Sequence, residues 1–235
     1  MIRAVLFDFG GTLYSYETLA PAEGRNILEL ARRAGIEAAP GEIVAAQRET
    51  GRQVFADYMS RPYYLHRDMF DAALRAMLSA LGAKPDQQLI DRYREIQWTS
   101  HSELFELRPG VIDTLDTLRE RGIHIGMVSN IDEDQLRHLL DAAGVEPYFD
   151  AILSSERAGS CKPDGEIFRI ALTSAGCEPD EALFIGDSRP ADVAGANAAG
   201  LQSVLLWHRS DRPPPSEAPQ PRHVIGAIPE LLELL

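Results

Sequence analysis

Four short stretches restrict the folds open to this chain more than any other feature. "AVLFD" (4–8), "IHIGMVSN" (123–130), "ALFIGD" (182–187) and "SVLLW" (203–207) are apolar almost without interruption, and each meets a turn or a small residue. "DAILSS" (150–155) is a weaker fifth. Strands that are apolar on both faces belong to a parallel sheet covered by helices on both sides. Helical patterns fill the gaps. In "GVIDTLDTLRERG" (110–122), Val111, Leu115 and Leu118 fall on one face and Gly122 supplies the stop; 132–144 and 164–176 repeat the form. Regular alternation of strand and helix predicts a doubly wound α/β core.

Residues 16–105 break the alternation. They contain no good strand but four helical patterns, at 21–35, 41–59, 66–82 and 86–98, with the loop "SRPYYLHRD" (60–68) dividing them. This predicts an α-helical, four-helix-bundle domain inserted after the first strand, and a core made of 1–15 and 106–235. Residues 208–223 are proline-rich and polar and read as a surface loop; "HVIGAIPELLELL" reads as a short strand and a closing helix.

Composition narrows the partners. A formal net charge of −13 disfavours nucleic acid and anionic membrane surfaces. No apolar run approaches the ~20 residues of a membrane helix, so a cytoplasmic location is expected. Cys161 and Cys177 are too few for a disulfide framework or a zinc set. Lysine occurs only at 84 and 162, with arginine supplying the other 21 basic residues.

In a doubly wound sheet, ligands bind beyond the C-terminal ends of the strands. At that edge the sequence puts Asp8, then Ser129 and Asn130, then Asp187 with Asp192 five residues on; Lys162 follows the weak strand. A carboxylate nucleophile, a hydroxyl, an ammonium and an acidic pair suit phosphoryl transfer. Gly10, Gly11 and Thr12 form a turn poor in side chains, whose N–H groups can face a phosphate. Mg²⁺ takes hard oxygen ligands, which Asp8 and Asp187 offer.

"DFGGTL", "VSN", "CKP" and "GDSRPAD", in that order, resemble the four motifs of the haloacid dehalogenase (HAD) superfamily. The resemblance covers the whole chain, because the helical insert sits where that superfamily carries its C1-type cap. It implies a Rossmann-like core and a cap that closes over the site. It also implies roles: Asp8 as nucleophile, Ser129 as phosphate-binding hydroxyl, Lys162 as the lysine orienting nucleophile and phosphate, Asp187 as metal ligand. Asp192 matches the second acid of its motif, binding the ion or bracing the loop. Asn130 lies at the phosphate or serves the turn.

One position departs from the pattern. Gly10 stands where typical phosphatases of the superfamily have a second aspartate, the general acid and base; only its backbone carbonyl, a magnesium ligand in the family, is retained. Tyr14, Tyr16, Tyr63, Tyr64 and His66 are the nearby candidates to replace it. The expectation is a Mg²⁺-dependent HAD-type hydrolase that dephosphorylates a small metabolite through an aspartyl phosphate on Asp8, as monomer or homodimer. The alternatives are a weakened domain acting as a binding module, a metal-free 2-haloacid dehalogenase, or a phosphonatase using Lys84, the one lysine of the insert.

Overall fold

The computed structural model describes residues 1–17, 19–208 and 216–235, with His101 and Ser102 described by their backbone alone. The chain divides into two compact units, Met1–Ser15 with Glu106–Leu235, and Tyr16–Phe105.

The first unit is built on six parallel strands: β1 (Ala4–Phe7), β2 (His124–Ser129), β3 (Ala151–Ser154), β4 (Ala182–Gly186), β5 (Gln202–Leu206) and β6 (His223–Ile225), in the order 3-2-1-4-5-6. This is the doubly wound, Rossmann-like order. The sheet reverses direction of winding on either side of β1, so the ends of β1 and β4 flank a switch-point crevice. Phe7 lies in register with Met127 on one side and Ile185 on the other, so β1 and β4 end nearly level with one another and β2 runs two residues further. All four residues of β1 and all five of β4 are buried, as continuous apolar runs require. Phe168 from α8 (Gly165–Ala175) meets Phe184 edge to face at 5.0 Å, within a core that includes Leu6 and Val128.

The helices of this unit are α5 (Val111–Glu120), α6 (Glu133–Ala143), a single turn α7 (Ser155–Ala158), α8 and α9 (Ala194–Ala198). α8 starts on Asp164, whose carboxylate accepts the Glu166 N–H at 3.0 Å, and stops at Gly176 in the left-handed conformation (φ 60°). The expected closing helix is instead a 3₁₀ segment, Ile228–Leu234; its length is too short to repay α-helix nucleation without further turns. Of the proline-rich stretch, residues 209–215 lie outside the described residues.

The second unit contains α1 (Ala20–Arg33), α2 (Pro40–Met59), α3 (His66–Ala80) and α4 (Gln87–Glu103). Proline opens α2 while the Glu42 carboxylate accepts the Ala39 N–H at 2.9 Å. Ile27, Ala31, Ile43, Leu74, Met77, Leu78 and Ile90 form its core. Among the described residues, no helix of either unit is long and apolar enough to cross a membrane.

Candidate active site

Asp8 is the residue after β1, and its N–H donates to the Ile185 carbonyl of β4 at 2.8 Å. The strand pairing therefore fixes its backbone. The residue is 6% exposed, and its side-chain partners all come from the predicted motifs. Thr12 Oγ1 donates to Oδ2 at 3.0 Å; Ser129 Oγ donates to Oδ1 at 3.3 Å; Lys162 Nζ donates to Oδ1 at 2.7 Å. The same ammonium lies 2.7 Å from Asp192 Oδ1, and Asp192 Oδ2 accepts the Ser188 N–H at 2.9 Å. Lys162 is thus clasped between two carboxylates, with the Phe184 ring 5.1 Å from its nitrogen.

Burial alone would lower the pKa of Lys162, but Asp192 and Asp8 more than offset it and hold it above the ordinary lysine value. The lysine stays charged. The acids move the other way. Asp187 is pushed up to about 7, first by burial, then by the charges of Asp8 and Asp192. Asp192 is pushed up as well, by burial first, with Lys162 pulling against it. Three crowded carboxylates share one ammonium, so the cluster lacks positive charge at neutral pH.

That shortage is what a cation would relieve. Among the described residues, Asp8, Asp187 and Asp192 each offer one carboxylate oxygen, and these three oxygens lie within 4.8 Å of one another. An all-oxygen donor set fits a hard divalent ion such as Mg²⁺. Two glycines make the crowding possible. A Cβ on Gly11 would stand 2.4 Å from Asp187 Oδ2, and Gly11 has φ 83° besides; a Cβ on Gly186 would stand 2.2 Å from Asp192 Cγ. Gly11 and Thr12 make no hydrogen bond through their N–H groups to another described residue.

The other expected residues divide. Asn130 braces the backbone of Lys162: its Nδ2 donates to the Lys162 carbonyl at 2.9 Å and its Oδ1 accepts the Lys162 N–H at 2.7 Å. Its side chain holds the lysine by the main chain. Tyr14 is buried with its ring edge to face on Phe9, and in the helical unit Tyr64 packs on His66 with centroids 4.9 Å apart. Tyr16 and Tyr63 are exposed.

Arg108 escaped the sequence reading. Its Nε and Nη2 donate to the Gly11 carbonyl at 3.0 and 2.7 Å, and its N–H donates to the Leu13 carbonyl at 2.8 Å. It pins the turn after Asp8 from 97 residues away. An arginine in "LRPG" carries no local mark of such a contact.

With this geometry in place, comparison with known proteins is decisive. Residues 2–200 match the haloacid dehalogenase-like hydrolase family. The chain belongs to that family. This HAD hydrolase is 34% identical over 232 residues to the phosphoglycolate phosphatase of Pseudomonas putida, covering 98% of this chain and 78% of the relative. It is 32% identical over 241 residues to the glyceraldehyde 3-phosphate phosphatase of Methanopyrus kandleri, covering 98% and 99%. The magnesium-bound HAD hydrolase YfnB of Bacillus subtilis shares its fold, with a TM-score of 0.78 at 23% identity, covering 100% and 98%.

Proposed function

We propose that this protein is a Mg²⁺-dependent phosphatase of a small phosphorylated metabolite, with Asp8 as its nucleophile. One observation carries the reading: Asp8 shares a lysine with Asp192 and lies within 4.8 Å, oxygen to oxygen, of both late acids. The relatives named for phosphoglycolate and glyceraldehyde 3-phosphate support a substrate of that size.

Thr12, Ser129 and Lys162 orient the Asp8 carboxylate. An ammonium has three protons to give. One is donated to Asp8, and the ammonium pairs with Asp192 by charge at 2.7 Å, which leaves a proton for a phosphate oxygen. The N–H groups of Gly11 and Thr12 supply further donors. Asp8 attacks phosphorus as the ester oxygen departs, giving an aspartyl phosphate; water then attacks phosphorus, restoring Asp8 and releasing phosphate. A Mg²⁺ held by Asp8, Asp187 and the Gly10 carbonyl, with Asp192 bracing the loop, would offset the repulsion between carboxylate and phosphate.

Gly10 has no side chain to protonate the departing oxygen, a service typically worth about 10²- to 10⁴-fold. The favoured substrates are therefore those whose leaving group needs no acid. The test is a panel of aryl, acyl and alkyl phosphates assayed with and without Mg²⁺. Metal-dependent turnover, fastest on aryl and acyl phosphates and abolished in Asp8→Asn, is the expected result. Metal-free halide release from a 2-haloacid would overturn the reading. So would silence on the whole panel together with a tight protein partner.

A further inference from the structure

The helical unit contains a cavity of about 420 Å³. All of its lining residues belong to that unit. Ile27, Leu74 and Met77 line it, together with Phe55 and Phe70, whose rings meet edge to face at 6.1 Å. A volume in this range, mainly apolar walls and a few convergent polar groups are the marks of a small-molecule site.

The charged lining is mixed, with Arg48 and Arg52 from α2 and Glu23 from α1. Arg48 is exposed at the wall and makes no ion pair or hydrogen bond with another described residue. The neighbouring charges are engaged: Arg52 pairs with Glu49 at 3.1 Å, and Glu23 has a partner of its own. On the wall contributed by α4, the Tyr93 hydroxyl accepts from Gln97 Nε2 at 2.8 Å. Burial, then the charge of Glu23, push its pKa up, so it keeps its proton and can donate it in a hydrogen bond.

Gly51 is the second, independent observation. It is buried, it lines the same cavity, and it sits in the interior of α2, where glycine is less favourable than alanine. Nothing local calls for it. A Cβ there would meet only the Phe55 ring, at an ordinary 4.0 Å, and its φ is not in the left-handed region. What the missing side chain does is leave the cavity wall bare.

We propose that this cavity binds a small organic anion with an apolar body, its acidic group paired with Arg48 and its body against Phe55 and Phe70. The proposal does not rest on the phosphatase reading. Its test uses the full chain and two fluorescent probes of similar shape, the anion 8-anilinonaphthalene-1-sulfonate and the neutral N-phenyl-1-naphthylamine. The sulfonate should bind at one saturable site. Arg48→Gln should weaken it about 10-fold, as loss of a charge-assisted contact does, and leave the neutral probe unmoved. Gly51→Leu should weaken both by filling the cavity. Gly51→Ala should weaken both mildly while raising Tm by ~2–4 °C, which separates lost binding from lost folding. Turnover of an aryl phosphate should be unchanged in all three variants. Sulfonate binding that is absent, that survives Gly51→Leu, or that is matched by an equal Arg48→Gln effect on the neutral probe would overturn the proposal.

Discussion

At the scale of single residues, the site depends on atoms that are missing as much as on those present. Gly11 lets Asp187 approach the turn after Asp8, and its φ of 83° is one that a residue with a Cβ resists. Gly11→Ala carries two penalties. The left-handed backbone costs roughly 1–2 kcal/mol. The new methyl group also displaces the Asp187 carboxylate, whose Oδ2 lies 2.4 Å from the place a Cβ must take. The expected outcome is a lower Tm together with a weakened Mg²⁺ response in the same titration. A variant that loses stability but keeps its full Mg²⁺ response would show that Asp187 does not depend on this gap. Asp8, Ser129 and Asp187 were legible in the sequence because each stands at or just beyond a strand end, and strand ends are written in local apolar runs; Lys162, beyond α7, was legible only from its "CKP" motif. Arg108 and the bracing work of Asn130 were not, because each is defined by a partner far away in the chain: Gly11 for Arg108, and Lys162, 32 residues on, for Asn130.

At the scale of elements, Lys162 is delivered by a short loop rather than by a strand. α7 ends at Ala158 and α8 begins at Gly165, and the segment between them is tied by its own side chains. Ser160 Oγ donates to Asp164 Oδ1 at 2.8 Å and accepts the Ile167 N–H at 3.2 Å, while Asp164 caps α8. Asp164→Ala removes the cap and one end of this tie. A cost of about 1 kcal/mol is expected, seen as a Tm lowered by ~2–4 °C in a chain of this size. An unchanged Tm would mean that the loop does not depend on this cap, its other ties through Ser160, Asn130 and Lys162 sufficing. The strand and helix order of the core was legible from periodicity, while helix ends were less so. The pattern for α4 stops at Trp98, yet the helix continues to Glu103. "TSHSE" consists largely of weak helix formers, so the local signal fades before the helix does.

At the scale of the whole molecule, the acidic cluster links stability to pH and to metal. Asp187 has a folded-state pKa of about 7, raised from an ordinary 3.8. The stability associated with its proton is fully present below the lower value and is lost as pH rises through the upper one. Metal-free protein should therefore melt at lower temperature at pH 8 than at pH 5.5. Mg²⁺ competes with that proton, so the Tm gain at fixed Mg²⁺ should be larger at pH 8; saturation at 100 times Kd is worth about 2.7 kcal/mol. Equal gains at the two pH values would count against Asp187 as a ligand. The rarity of lysine has a practical corollary. Lys162 is 3% exposed and gripped on two sides, whereas Lys84 lies open on the helical unit. Besides the α-amino group, an amine-acylating reagent applied to the native protein should consequently tag Lys84 and spare Lys162. Appearance of a tag on Lys162 itself would then count, molecule by molecule, how often the grip on the nucleophile has been released.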